Sequence, residues 1–210
     1  MASLAMKAIG GKLSSNFSST ISEHNSHIDW HDYNFPPCLK LIHFKLSDFQ
    51  GTEKALIKKL YISWILLTVV LFKNVITTIV LSSTVLPGIN ILFTFLNLII
   101  GMTLGTFTFF WGYYGVAKRD SSHLRKFKIG AVILVILYIL ASCLPYGAFD
   151  GWARIPILED KSGRAAEYGI VMCVMESFVY TINAGLLSYC IYLVQTDAYE
   201  DDARSFTNQN

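Results

Sequence analysis

Four long apolar stretches, at about residues 61–86, 89–117, 129–149 and 169–195, alternate with polar connections along the chain. Each reaches the roughly 20 residues that a helix needs to cross the hydrocarbon of a bilayer. The pattern predicts an all-α integral membrane protein, a bundle of four transmembrane helices. Between the first two stretches the turn "LPGIN" (Leu86–Asn90) is short and uncharged, so these helices form an antiparallel hairpin. Ahead of them, residues 1–52 are rich in Ser, Asn and His, include Pro36 and Pro37, and lack a pattern able to bury a core. A largely extended arm is expected there. Within it "SDFQ" (Ser47–Gln50) fits a capping box, which predicts a helix running from there through Glu53, Lys54, Leu56, Lys58 and Lys59 into the first span. The membrane domain is then 53–195, followed by an acidic tail, 196–210.

Composition agrees with this pattern. Of 210 residues, 53% are hydrophobic and 15% charged, and the mean hydropathy is +0.45, too apolar for a soluble domain of this size. The first residues, "MASLAMKAIGGKLSS", interrupt any apolar core with Lys7 and two glycines, so the first span itself directs insertion. No nucleophile elbow, phosphate-cradling glycine loop or HExxH occurs, so neither an enzyme nor a cofactor is expected. The bases lie beside apolar spans, so the expected partner is a membrane and no nucleic acid. In the arm, His24, His27, His31, Asp29 and Asp32 match no standard ligand spacing, and no metal is expected. Cys38, Cys143, Cys173 and Cys190 form no CxxC and no disulfide framework. Cys143 and Cys173 fall at similar depth; Cys190, near the opposite face, is a candidate for palmitoylation.

Charge sets the orientation. The segment 118–128, read as a loop, holds Lys118, Arg119, Arg125, Lys126 and Lys128 against Asp120 alone, and follows the aromatic cluster Phe109, Phe110, Trp111, Tyr113 and Tyr114. The connection 150–168 mixes Arg154, Lys161 and Arg164 with acids, and the tail from Thr196 is acidic. Bases near span ends mark the cytosolic side. Both termini and the basic segment are therefore expected in the cytosol, where the sequon at Asn16 meets no glycosylation machinery. The aromatics would form an interfacial belt and the bases would meet anionic lipid, phosphoinositides included.

Two charges lie inside the spans. Lys73 in the first and Glu176 in the fourth are expected to pair, because an isolated charge there costs roughly 2.5 to 3.5 kcal/mol by insertion scales. Glu176, Tyr180 and Asn183 share one helical face, and Asn74 and Thr77 lie near Lys73, which predicts a polar seam between those helices. Such a seam serves either as interhelical glue or as part of a proton or ion path, the latter making the chain a small transporter or channel. In the second span Gly101 and Gly105 form a GxxxG that suits packing within the bundle or a homo-oligomer.

These stretches, in this order, resemble the secretory carrier-associated membrane proteins. "NFPPCLKLIHFKLSDF" (34–49) resembles the family's Asn-Trp-Pro-Pro stretch and the segment leading to its first span, with Phe35 in place of tryptophan. "LFKN" (71–74) sits where the family has an asparagine. "WGYYGVAKRDSSHLRKF" (111–127) resembles its aromatic and basic cytosolic segment, and "GAFDGWARIPIL" (147–158) its lumenal Gly-Trp loop. The arm has no Asn-Pro-Phe motif. The resemblance implies a non-enzymatic carrier of post-Golgi vesicles, trans-Golgi, endosomes or plasma membrane, active in secretory and endocytic recycling and in membrane fusion. It implies phosphoinositide binding through Trp111, Tyr113, Tyr114, Lys118 and Arg119, and vesicle fusion and trafficking proteins as partners.

Overall fold

The computed structural model describes residue 32 and residues 43–49, 51–145, 149–161 and 163–207, with side chains as far as residue 196. Its helices are α1 (Gly51–Ser82), α2 (Ile89–Lys118), α3 (Ser121–Cys143), a short α4 (Ile155–Glu159) and α5 (Arg164–Thr207); no strand occurs among the described residues. Four of these, α1, α2, α3 and α5 as far as Thr196, are long and apolar enough to cross a membrane. The all-α membrane fold follows from the apolar pattern as expected. The chain divides into two compact units, Met1–Lys54 and Ala55–Asn210.

In the first unit the capping box does not start a helix. Leu46–Asp48 form a single 3-10 turn, and α1 begins at Gly51, where φ is +55°, a value that costs glycine nothing. The reason lies in where the side chains are spent. Asp48 faces Nε2 of the buried His43 at 2.9 Å, and Ser47 Oγ donates to Asp48 Oδ1 at 3.3 Å rather than accepting from a backbone N–H. His43 Nδ1 donates to the Asp32 carbonyl at 3.1 Å. The expectations for Asn16, His24, His27, Asp29, His31 and Cys38 lie outside the described residues.

In the second unit small residues set the helix contacts. A Cβ on Gly101 would sit 2.8 Å from Leu71 Cδ1, and one on Gly105 would overlap Leu67 Cδ2, so the GxxxG of α2 receives the leucines of α1. Gly112 lies where three helices meet: its Cβ would be 2.9 Å from both Leu60 Cδ1 of α1 and Phe127 Cδ2 of α3. α5 closes the ring. Leu81 of α1 packs on Gly169, and Tyr138 of α3 stacks on Tyr180 at 5.9 Å. Outward-facing Val69, Phe72 and Ile76 of α1 and Leu92, Ile99 and Ile100 of α2 are exposed, as they must be where hydrocarbon is the solvent. Gly105→Val should destabilise the bundle by about 1–3 kcal/mol through overpacking. Thermal unfolding in detergent reads this directly, and an unshifted midpoint would mean that α1 and α2 do not pack on that stripe.

The connections differ most from the sequence reading. The stretch 118–128 is almost entirely helical, broken only by Arg119 and Asp120. Arg119 adopts φ +50° at the end of α2, and Asp120 N–H donates to the Gly115 carbonyl at 3.0 Å, a C-terminal closure of the Schellman type. Asp120 then caps α3, accepting from Ser122 N at 2.8 Å. A Cβ on Gly115 would come within 2.9 Å of Leu124 N, so glycine lets α3 turn back this tightly.

The connection from α3 to α5 is no open loop either. Trp152–Arg154 form a 3-10 turn leading into α4, and this cap lies along α5. Leu158 packs on Gly169, Trp152 meets Phe178 edge-on at 5.5 Å, and Phe149 meets Tyr180 at 6.1 Å.

Candidate functional site

At one end of the bundle the basic residues gather. Lys118 ends α2, Arg119 makes the turn, and Arg125, Lys126 and Lys128 lie in the first turns of α3. Lys118, Arg119, Arg125 and Lys126 are exposed and Lys128 is half-buried. Lys118 Nζ lies 4.2 Å above the Tyr114 ring, a cation–π contact that keeps the ammonium beside an aromatic face. The same end carries Lys58 and Lys59, the latter with Nζ 5.3 Å from the Tyr189 ring centroid.

Asp120, the acid within 118–128, is engaged by its neighbours. Asp120 accepts from His123 Nδ1 and from Ser122 N, and these bonds, the histidine's first, hold its carboxyl below the usual carboxylate range. It stays ionised, one negative charge among five bases. The aromatic belt splits in two: Phe109 and Tyr113, at i and i+4, are buried in the bundle, whereas Trp111 and Tyr114 are half-buried. Helical periodicity imposes this, since consecutive aromatics cannot all face outward. Tyr113 is a core residue that supports the surface pair.

Toward the other end a buried network joins three elements. Lys73 Nζ of α1 donates to Glu176 Oε2 of α5 at 3.1 Å and to the Met172 carbonyl at 2.6 Å. Asn74 Nδ2 donates to Glu176 Oε1 at 2.8 Å. The structure thus brings together the intramembrane pair named from the sequence. It adds two residues that the sequence reading left in a solvated loop. Asp150 N lies 3.4 Å from Glu176 Oε1, and Arg154 donates from Nη1 to Asp150 Oδ1 at 2.7 Å and from Nη2 to the Pro145 carbonyl at 3.1 Å. Burial pushes the Asp150 carboxyl above its ordinary value, against the pull of Arg154.

The signal for Arg154 was present in the chain: a lone base among Trp152, Ile155, Ile157 and Leu158 needs a buried counter-ion, and Asp150 stands one helical turn before it. Further along the same α1–α5 seam, Ser63 Oγ donates to Asn183 Oδ1 at 2.6 Å and Asn183 Nδ2 donates to the Ser63 carbonyl at 3.1 Å. Among the described residues no group of three or more His, Cys, Asp and Glu is placed to hold a metal. Cys143, Cys173 and Cys190 are free thiols, and Cys190 is buried.

A profile described as "SCAMP family" matches residues 32–200, from the arm through all four spans. The chain belongs to the SCAMP family. No curated protein and no solved structure was found to match it. SCAMP membership makes this a multi-pass membrane protein of membrane trafficking, in a family known as non-enzymatic. The match also covers the basic turn, the Lys73–Glu176 pair and the cap.

Proposed function

We propose that this SCAMP acts in post-Golgi secretory and endocytic recycling and in membrane fusion, through a cytosolic basic turn that gathers anionic lipids, phosphoinositides above all. The observation that carries this reading is the contrast between the two ends of the bundle. Lys118, Arg119, Arg125 and Lys126 are exposed at one end, with Asp120 as the acid within that stretch. At the other end Arg154 is buried and paired with Asp150, which leaves Lys161 and Arg164 as the exposed bases of that connection. This sharpens the case for placing both termini and the basic turn in the cytosol.

Trp111 and Tyr114 sit just below the bases, where their rings reach the headgroup level and loosen headgroup packing as the bases concentrate anionic lipid. Vesicle fusion and trafficking proteins would then meet a membrane patch already enriched in phosphoinositide. Two readings test the proposal together. In cells, a tag on the arm should be digested by protease added from the cytosolic side, on vesicles of the secretory and endocytic pathways. In vitro, the wild-type protein in neutral-lipid nanodiscs should capture vesicles containing phosphatidylinositol bisphosphate and leave pure phosphatidylcholine vesicles unbound. Sugar on Asn16 or a protected arm tag would reverse the orientation, and equal capture of both vesicles would remove the lipid role.

A further inference from the structure

The packing of α2 on α3 changes along its length. Near the turn the two helices touch closely: a Cβ on Gly115 would come 2.9 Å from Leu124 N, one on Gly112 2.9 Å from Phe127 Cδ2, and one on Gly130 2.6 Å from Thr108 Oγ1. Toward the cap end the glycines of α2, Gly101 and Gly105, face α1 instead, and a groove of about 630 Å³ opens between α2 and α3. Asn90, Phe93 and Asn97 line it from α2, and Leu137, Leu140 and Leu144 from α3. Each set follows i, i+3, i+7 spacing, so a single face of each helix makes each wall. Phe149, just ahead of the cap, adds a second ring.

The lining selects the occupant. Both walls belong to helices long and apolar enough to span a membrane, and Phe93, Leu137, Leu140 and Leu144 are exposed, so the groove opens to hydrocarbon and is filled from the bilayer. Among the described residues no charged side chain lines it, so a phosphate headgroup finds no counter-ion there. The groove offers an apolar slot with two neutral amides, about 10 Å apart along α2 at 1.5 Å per residue. Asn90 lies in the first turn of α2, nearer the membrane surface. A flexible acyl chain loses its rotational freedom in such a slot, whereas a rigid ring system has little to lose. The volume is that of a single small-molecule site, typically about 300–1,000 Å³ with apolar walls and few polar groups.

We propose that this groove binds one sterol, its ring system held between the leucines of α3 and the rings of Phe93 and Phe149, and its 3-hydroxyl hydrogen-bonded to the Asn90 amide. A hydroxyl both donates and accepts, as does the amide, so a neutral lipid with its hydroxyl at the membrane surface matches Asn90. The apolar walls supply most of the affinity, and Asn90 sets which end of the sterol points outward. Phe149 also meets Tyr180 of α5 edge-on at 6.1 Å, so a bound sterol touches the segment that leads into the cap. On the orientation proposed above, the groove opens into the lumenal leaflet. The binding itself depends neither on that orientation nor on anionic lipid.

Full-length protein in phosphatidylcholine nanodiscs, exposed to a photoactivatable cholesterol analogue, tests this with no anionic lipid present. Crosslinking should saturate, fall on residues 90–97 or 137–144, and be displaced by excess cholesterol but far less by its 3α-hydroxyl epimer. Leu140→Trp fills the groove from an exposed position and should abolish the saturable crosslink while leaving the thermal unfolding midpoint unchanged. Asn90→Leu keeps the apolar walls; it should weaken cholesterol roughly three- to tenfold, the contribution of one hydrogen bond, and make the two epimers equal. That variant decides the matter alone if Leu140→Trp does not fold. The proposal would be overturned by labelling that does not saturate, by a crosslink outside the groove or one that survives Leu140→Trp, or by unchanged affinity in Asn90→Leu. Epimers that compete equally in the wild type, or equal labelling by a photoactivatable phosphatidylcholine, would overturn it as well.

Discussion

Replacing Lys118, Arg119, Arg125, Lys126 and Lys128 together by Gln should lower affinity for vesicles containing phosphatidylinositol bisphosphate by three to four powers of ten at low salt, while leaving the bundle folded. Each base near an anionic surface contributes about 1 kcal/mol, and about 1.4 kcal/mol makes a factor of ten. Lys128 is half-buried and should give less than the exposed four. Raising the ionic strength should weaken the wild type steeply and the variant little, because exposed charges are screened beyond about 10 Å at 0.1 M salt. Stability should hardly change: none of the five is a buried base like Arg154. Vesicle capture by the purified variant, measured against salt, checks both parts. An affinity loss of less than tenfold would place the lipid contact elsewhere.

The spans were legible in the chain because their information is one-dimensional. A run of twenty apolar residues has few places to go other than the hydrocarbon, and the number of such runs fixes the bundle. Lys73 and Glu176 were legible for a related reason: two opposite charges in otherwise apolar helices leave each other as the cheapest partner, and helical rise places them at compatible depths. The connections were misread because charge was taken as a sign of solvent. "KRDSSHLRKFK" looks like a loop by composition, yet Asp120 followed by Ser121, Ser122 and His123 is a helix cap, and its bases simply continue along α3.

The cap shows the same confusion from the other side. Its acids and bases were summed as if all were wet, whereas Asp150 and Arg154 cancel one another within the protein. The arm failed differently. Ser47 and Asp48 have the residue types of a helix start, but His43 competes for Asp48 and wins, a contact that short-range patterning does not reveal. Tyr113 illustrates the limit of reading a cluster as a belt, since only the helix period tells which aromatics face out.

The cap also carries the largest stability effect expected of a single substitution. Arg154→Leu would leave Asp150 buried with neither its ion pair nor access to water. Breaking a buried pair by removing one partner costs about 3–5 kcal/mol, most of it the stranded charge rather than the lost attraction. The double variant Asp150→Leu with Arg154→Leu removes both charges and should recover most of that loss, because a well-packed apolar replacement of a buried pair is often neutral. Non-additivity is therefore the signature, with an interaction term of several kcal/mol between residues in direct contact. Detergent unfolding of the wild type, both single variants and the double variant completes the cycle. Additive losses would show that Arg154 and Asp150 do not face each other in the folded protein, and that Arg154 belongs among the exposed bases. The two ends of the bundle would then be far less asymmetric, and the case for a cytosolic basic turn would weaken with them.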